Sequence, residues 1–404
     1  MNILYIAYSC KPYKGSEEKI GWSVPLESAK NNNVFVITKE EHREAVTEYL
    51  HSHNVKNIRF FFVDINGIYK KLCKGFLYSA RLNVWQKKAF ALAREICKNE
   101  KIDVIHQITP VEFRSIGRYA DIPEVKFVCG PIGGGEYLPK ALNPYAKGNR
   151  AVEFTRRVVN SCFKLKYRLN KRLSKCDYLL FCNKETKDYI SPLISDVPCE
   201  LYSEVGIDKS EIVTADSRKD ADSVFTMLVA GRIIYRKGHS FLLDVLSSLP
   251  EDLHYVCKVV GEGPDLNALK EKCKRLGLAD KVQFTGRIPF EQMEQCYASA
   301  DALVMPSLRE TTGSVLLEAV SQGLVLITMN RFGGEVLLKD SPMYFYDGES
   351  LDEITKSFAD AICECADSAD RKQRAQHLNK IASDNTWDKK MEHYSEIYRQ
   401  VCEE

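Results

Sequence analysis

Short apolar runs alternate along this chain with longer stretches in which apolar side chains recur every three to four positions. In the first half the runs Ile3–Tyr8, Val34–Thr38, Ile58–Val63, Val104–Ile108, Lys126–Cys129 and Tyr178–Cys182 are rich in Val, Ile, Phe and Tyr. They lack polar alternation, which predicts strands buried on both faces. Helical spacing lies between them at Glu40–Leu50, Val84–Asn99 and Val152–Lys175. The second half repeats the order. Strands are expected at Phe225–Ala230, Tyr255–Val260, Val282–Thr285, Ala302–Met305 and Val325–Thr328, and helices at Gly238–Ser248, Asp265–Leu276, Phe290–Ala298 and Ser314–Gln322. Strands alternating with helices imply parallel sheets with crossover helices. The fold class is therefore α/β, with two Rossmann-like, doubly wound domains.

Between the halves, residues 195–223 are polar, rich in Asp and Ser, and poor in period. The hinge is expected there. Domains are expected over residues 1–200 and 201–386. From Trp387 onward, apolar residues at Trp387, Met391, Tyr394, Ile397, Tyr398 and Val401 keep helical spacing. That final helix, residues 387–404, is expected to cross back and pack on the first domain.

The chain has 404 residues, too many for one ordinary core. Its 57 basic and 55 acidic residues nearly cancel, but their placement does not. Residues 1–200 carry 33 basic and 21 acidic side chains, a balance of +12, and the rest carry 24 and 34, a balance of −10. This asymmetry suggests an anionic partner for the first half. The fourteen cysteines are scattered, without a Cys-x-x-Cys pair, so no metal site is expected. No run approaches the ~18 apolar residues of a membrane span, and a cytoplasmic location is expected.

Two motifs carry chemistry. Gly231-Arg232-Ile233-Ile234-Tyr235-Arg236-Lys237-Gly238 joins an expected strand to an expected helix. Arg232 and Lys237 suit a diphosphate, one as a planar fork and the other as a point charge. The helix that follows adds amide donors. Taken alone, the stretch reads equally well as a solvated basic turn. Glu310-Thr311-Thr312-Gly313-Ser314-Val315-Leu316-Leu317-Glu318 also joins strand to helix. Gly313 and the amides of Ser314 and Val315 form a candidate phosphate cradle. A carboxylate such as Glu318 suits sugar hydroxyls, because it accepts two strong hydrogen bonds.

Together these residues resemble the retaining glycosyltransferases of family 4, which have the two-domain GT-B architecture. The Glu-x7-Glu pair Glu310 and Glu318, the Gly-Arg…Lys-Gly element, Val260-Gly261-Glu262-Gly263-Pro264, Phe284-Thr285-Gly286-Arg287 and Gly333-Gly334-Glu335 occur in family order. The resemblance implies two domains facing across a cleft, a nucleoside-diphosphate-sugar donor of UDP or GDP type on the second, and an acceptor on the first. It also implies no metal or other cofactor. By the same resemblance Arg232 and Lys237 neutralise the leaving diphosphate, Glu318 holds the ribose and Glu310 faces the donor sugar. Arg287 lies beside the base. Thr312 stands where the family often has an aromatic residue, which bears on sugar selectivity.

In the first half, the family's donor-facing glycine loop falls at Gly15. Gly15-Ser16-Glu17 with Gly21-Trp22, and Gly130-Pro131-Ile132-Gly133-Gly134-Gly135-Glu136, look like a bacterial surface-polysaccharide branch, and Gly133, Gly134 and Glu136 are expected on the acceptor side. His106 ends an expected strand, two residues before the family's usual sugar-contacting His. It reads either as part of the catalytic set or as a buried structural residue. Gly261-x-Gly263 lacks a third glycine, Leu266 standing there, which argues against a nicotinamide cofactor.

Arg150–Lys175 carries nine basic residues and one acid, Glu153, interleaved with Phe154, Val158, Phe163, Tyr167 and Leu173. It reads as a surface for anionic lipid or as a solvated helix face. No nucleic-acid motif accompanies the charge. The function expected is transfer of a sugar to a glycan or polyprenyl-linked glycan acceptor in bacterial polysaccharide biosynthesis, by an enzyme peripheral on the inner face of the cell membrane. The alternatives are an epimerase or phosphorylase of the same architecture, or a non-catalytic nucleotide-sugar binder.

Overall fold

The structure is a computed structural model that describes residues 1–12, 16–65, 67, 78–194, 196–213, 224–289 and 292–403. The chain divides into two compact units. The first comprises Met1–Gly135, Arg156–Gly206 and Trp387–Glu404, and the second Glu136–Thr155 and Ile207–Thr386.

The first unit contains β1 (Asn2–Ala7), α1 (Ser16–Ser28), β2 (Asn33–Lys39), α2 (Arg43–Ser52), β3 (Ile58–Val63), α3 (Tyr78–Asn99), β4 (Val104–Thr109), β5 (Lys126–Ile132), α4 (Arg150–Asn170), β6 (Tyr178–Phe181), α5 (Lys184–Ile190) and β7 (Cys199–Leu201). Residues of α4 before Arg156 group with the second unit. All seven strands run parallel in the order β3-β2-β1-β4-β5-β6-β7. Ile3, Leu4, Tyr5 and Ile6 are all fully enclosed. That is why β1 reads as a continuous apolar run rather than an alternating one. Trp85 of α3 meets Tyr8 edge to face at 5.1 Å. Gly21 of α1 lies so close to β1's exit that a Cβ there would fall 1.9 Å from the Ser9 carbonyl oxygen.

The second unit contains β8 (Phe225–Ala230), α6 (His239–Ser247), β9 (Tyr255–Val260), α7 (Leu266–Arg275), β10 (Val282–Gly286), α8 (Met293–Ala298), β11 (Ala302–Met305), α9 (Ser314–Ser321), β12 (Val325–Met329), α10 (Phe332–Leu337), β13 (Tyr344–Tyr346), α11 (Leu351–Ala366), α12 (Ser368–Ala375) and α13 (Leu378–Asp384). Its six strands are also parallel, ordered β10-β9-β8-β11-β12-β13. In each sheet the winding reverses at one place, between β1 and β4 and between β8 and β11. Ligands of such sheets sit beyond the carboxyl ends of the strands at that reversal.

The last helix, α14 (Trp387–Glu403), belongs to the first unit, where it packs on α1. Its apolar face, including Trp387, Tyr394 and Tyr398, is buried. Two boundaries are added to the sequence expectation, and the one expected after residue 200 falls after Gly206. Glu136–Thr155 groups with the second unit, so the chain passes between units at four points. The reason is local chemistry. Within that segment Glu136 accepts from the Thr311 hydroxyl at 3.0 Å, Tyr145 donates to Asp244 at 2.8 Å, and Glu153 accepts from Tyr235 at 2.6 Å.

Candidate functional site

The site is built first on the second unit, where two loops leave the sheet at its reversal. One follows β8 and carries Arg232 to Gly238. The other follows β11 and carries Pro306 to Gly313. Gly238 holds them together. It adopts φ +72°, and a Cβ there would fall 1.8 Å from the Pro306 carbonyl oxygen. No side chain fits, so the glycine is a packing requirement of the loop pair. Across this contact Lys237 Nζ donates to Glu310 Oε2. Ser307 Oγ donates to the same oxygen at 3.3 Å, and the Thr311 amide donates to Oε1 at 3.3 Å. Arg236 stands 3.8 Å from Oε1. Glu310 is 7% exposed. Burial pushes its carboxyl up, but Lys237 and Arg236 outweigh that and hold it below the usual carboxylate range.

The loop ends at Gly313, with φ +83°, and α9 begins at Ser314. The amides of Ser314 and Val315 therefore open a helix N-terminus, the positive end of its dipole. Gly333 at the start of α10 presses on this loop: a Cβ there would fall 2.5 Å from the Thr312 carbonyl oxygen. One turn into α9, Glu318 accepts from the Tyr297 hydroxyl at 3.0 Å. Burial and the nearby Glu318 charge both raise the Tyr297 phenol well above its usual value.

The structure brings Lys237, Glu310, Thr312 and Gly313 into one loop pair and sets Ser314, Val315 and Glu318 on the helix that follows. Arg232 is not the second cation at Glu310. That place is taken by Arg236, and the Arg232 side chain is exposed. Arg287 is exposed on the loop after β10.

Glu136 falls in the second unit rather than in the first domain, where the sequence reading put it. It is 1% exposed, and its carboxylate holds Thr311 and lies 3.8 Å from Arg309. Arg309 also donates to Glu153 at 3.1 Å. Burial opposes the Arg309 charge, but the two glutamates outweigh it. Glu136, Glu153 and Arg309 thus brace the stretch that carries Glu310. Their sequence separation hid this support, and no motif could have revealed it.

A second residue missed by sequence reasoning is His239, the first residue of α6. It is buried beside Lys237 in a recess lined also by Met305, Ser307 and Val315. Neither ring nitrogen has a hydrogen-bond partner among the described residues. Burial, and then the Lys237 charge, push its pKa down to about 4, so the ring is neutral. Its position directly after Lys237-Gly238 was the available signal.

In the first unit, His106 fits the second of its two readings, a buried structural residue. Its ring is fully enclosed and both nitrogens are committed, Nδ1 to the Tyr398 hydroxyl at 2.6 Å and Nε2 to the Gly130 carbonyl at 2.7 Å. A carbonyl only accepts, so Nε2 carries the proton and Nδ1 accepts from Tyr398. Burial pushes the His106 pKa down to about 4. The ring ties β4 to the chain leading into the glycine run and to α14. Gly133 and Gly134 are buried, and the Gly134 carbonyl accepts from Arg156 at 2.7 Å and from Asn160 at 3.1 Å. Gly15 lies outside the described residues. Just beyond it, Glu17 accepts from the Val111 amide at 2.8 Å and from Ser9 Oγ at 3.1 Å, joining α1 to the loops after β4 and β1.

With this geometry in view, the comparisons with known proteins are informative. Residues 214–392 match the family of Glycosyl transferases group 1. That stretch contains both loops, Glu310 and Glu318. Among curated relatives, the sulfoquinovosyl transferase SQD2 of Arabidopsis thaliana is 35% identical over 132 residues, 31% of this chain and 24% of the relative. The GDP-mannose-dependent alpha-(1-6)-phosphatidylinositol monomannoside mannosyltransferase of Mycobacterium tuberculosis is 31% identical over 155 residues, 36% of this chain and 39% of the relative. The matches to these relatives thus span well under half of their length. Among solved structures, Anabaena HepE in complex with UDP aligns at a TM-score of 0.63 and 15% identity, covering 99% of this chain and 100% of that one. At that identity the likeness concerns the fold, which is the two-sheet GT-B arrangement.

Proposed function

We propose that the protein is a retaining glycosyltransferase of family 4. It moves a sugar from a nucleoside-diphosphate donor of UDP or GDP type to a glycan or lipid-linked glycan acceptor, in bacterial surface-polysaccharide synthesis. The observation that carries this reading is the Lys237–Glu310 contact, set where the second sheet reverses and one helix turn before Glu318. The match to group 1 glycosyl transferases over the same stretch supports it.

In this reading the diphosphate lies against Lys237, Arg232 and the amides of Ser314 and Val315. As the bond from C1 to the phosphate oxygen breaks, those donors stabilise the charge that develops there. The acceptor oxygen bonds to C1 on the same face, and its proton passes to the departing phosphate oxygen. Glu310 then faces the sugar, while Glu318 takes the ribose hydroxyls in exchange for Tyr297. Thr312 lies at the sugar, and Arg287 at the base. No metal takes part. The phosphatidylinositol mannoside in the name of the mycobacterial relative supports a lipid-borne acceptor. Such an acceptor brings the protein to the inner face of the cell membrane, and the basic balance of residues 1–200 agrees with that.

The test is incubation of the purified protein with UDP- and GDP-sugars and a polyprenyl-diphosphate-linked glycan, with products followed by mass spectrometry and the new linkage by NMR. A transferred sugar with the donor's anomeric configuration is expected. Failure to bind any nucleoside diphosphate, or an inverted product, would overturn the reading.

A further inference from the structure

Among the described residues, most of the exposed large apolar side chains lie on one helix. On α4, Phe154 is 69% exposed, Val158 45%, Leu165 57% and Leu169 77%. Among the described residues only Met1, Val152, Leu201 and Val224 join them, and Val152 is on the same helix. At about 100° per residue, Phe154, Val158, Leu165 and Leu169 fall within about 60° of one another. They form one stripe along the helix axis. The opposite face holds Glu153, Asn160 and Tyr167, which are buried. Phe163 and Tyr167, read from the sequence as part of the lipid surface, belong to this inner side: Tyr167 is 1% exposed and Phe163 packs against the core. The Tyr167 hydroxyl accepts from the Ile116 amide at 3.2 Å.

Cations flank the stripe. Arg150, Arg157 and Arg168 are exposed along one edge, and Lys166 lies on the other. Lys164 lies beyond the arginines, its ammonium 4.6 Å from the centre of the Tyr189 ring. The helix thus presents an apolar strip between basic margins, with its single acid turned inward. An exposed apolar strip of this length, interrupted only by Ser161, calls for an occupant. The charge around it selects one, because anionic headgroups complement basic margins while acyl chains accept the strip.

We propose that α4 lies in the plane of an anionic bilayer, with Phe154, Val158, Leu165 and Leu169 in the boundary between headgroups and acyl chains. This deepens the membrane reading above and rests on it only for its biological purpose. The sequence interleaves apolar with basic residues here, and the structure sorts which of them face outward. The structure adds an insertion, which makes the binding partly resistant to salt. No described helix is long and apolar enough to cross a membrane, so the attachment is shallow.

The test is co-flotation of the whole protein, without donor, on vesicles of phosphatidylcholine alone and of phosphatidylcholine mixed equally with phosphatidylglycerol. Wild type is expected mainly on the mixed vesicles and only weakly on the neutral ones. Part of the binding should survive about 1 M salt, where the Debye length is about 3 Å. The variant Val158→Ser/Leu165→Ser/Leu169→Ser keeps its charge and should bind the mixed vesicles roughly tenfold or more weakly. The variant Arg157→Glu/Arg168→Glu should also lose binding. Tryptophan emission from Leu165→Trp should shift to the blue mainly on the mixed vesicles. Because all substituted side chains are exposed, melting temperatures should match wild type and confirm that each variant folds. Equal binding of the serine variant, equal binding to neutral vesicles, or no binding by wild type at low salt would each overturn the proposal. A dimer in light scattering that the serine variant dissolves would also overturn it, assigning the strip to a second copy. Donor hydrolysis measured without vesicles reports on the sugar chemistry alone, so failure there and failure here are distinguishable.

Discussion

Lys237 and Glu310 come from different loops of the second unit and meet as an ion pair, with Arg236 3.8 Å from the second carboxylate oxygen. The pair has two consequences. It fixes the loop after β11 against the loop after β8, and it holds a cation at the reversal of the sheet. Removing one partner leaves the other buried with reduced compensation, a larger loss than removing both. Lys237→Met and Glu310→Gln should therefore each lower the melting temperature, and the double variant should be more stable than their additive sum. Turnover behaves differently. Lys237→Met should cost on the order of 100-fold in kcat, and the double variant should not recover it. Thermal melts and single-turnover kinetics on the same four proteins separate the two effects. Wild-type kcat in Lys237→Met would remove the lysine from the mechanism.

The two glutamates of the Glu-x7-Glu motif should separate in binding experiments. Glu318 already accepts from Tyr297, so its carboxylate is placed to exchange that hydroxyl for a ribose. Glu318→Gln should weaken binding of the free nucleoside diphosphate about tenfold, as loss of one charge-assisted hydrogen bond does. Glu310→Gln should leave that binding within a few-fold and reduce transfer. Isothermal titration with UDP and GDP decides it, and the reverse pattern would exchange the two roles.

His106 should behave as a structural residue. His106→Gln should lower the melting temperature while the folded fraction keeps near-wild-type kcat. The pH dependence gives a second readout. The ring is held neutral, with a pKa near 4 against an ordinary 6.5, so the unfolded chain binds the extra proton first. Stability from this group is complete above about pH 6.5 and is lost as pH falls through about 4. At 1.36 kcal/mol per unit its upper bound is about 3 kcal/mol. His42, pushed down to about 3, and His239, pushed down to about 4, act in the same direction. Urea midpoints measured from pH 7 to 4 should fall, with a smaller fall in His106→Gln. Identical slopes would show that His106 is protonated alike in both states.

Much of this arrangement was legible in the sequence. Strands buried on both faces give uninterrupted apolar runs, and β3, β8, β9 and β11 begin and end where those runs do. The loops after β8 and β11 were legible because a close approach demands glycine at fixed places, Gly238 against Pro306 and Gly333 against Thr312. The missed strands β7 and β13 are three residues each, too short to carry a period. Helix α11 was missed although Ser350 and Glu353 form a capping box at its start, a readable signal. The surroundings of Glu136 and His106 were not legible because burial is a property of the packed chain. Spacing placed each beside a loop of interest, but only the fold reveals that Glu136 is spent on Thr311 and His106 on Gly130 and Tyr398.

His239 gives the most discriminating prediction, because its two expected effects have opposite signs. A buried imidazole with neither nitrogen hydrogen-bonded among the described residues carries an uncompensated desolvation cost, roughly 1–3 kcal/mol for such a group. Phenylalanine has a similar shape and no polar atom to desolvate. His239→Phe should therefore raise the melting temperature of the free protein, by roughly 2–4 °C if about 1 kcal/mol is recovered. The ring shares its recess with Lys237 and Ser307, the groups that face Glu310. When a nucleoside diphosphate occupies the loop pair, a phosphate oxygen or its ordered water can take the imidazole proton that has no acceptor among the described residues of the free protein. The further rise in melting temperature on adding saturating UDP or GDP should then be smaller in His239→Phe than in wild type, since a ligand stabilises only by what it gains on binding the folded state. A variant that is more stable alone and less stabilised by nucleotide would place His239 in the donor site. A variant that is more stable alone and equally stabilised would make it an unpaired core residue with no part in binding.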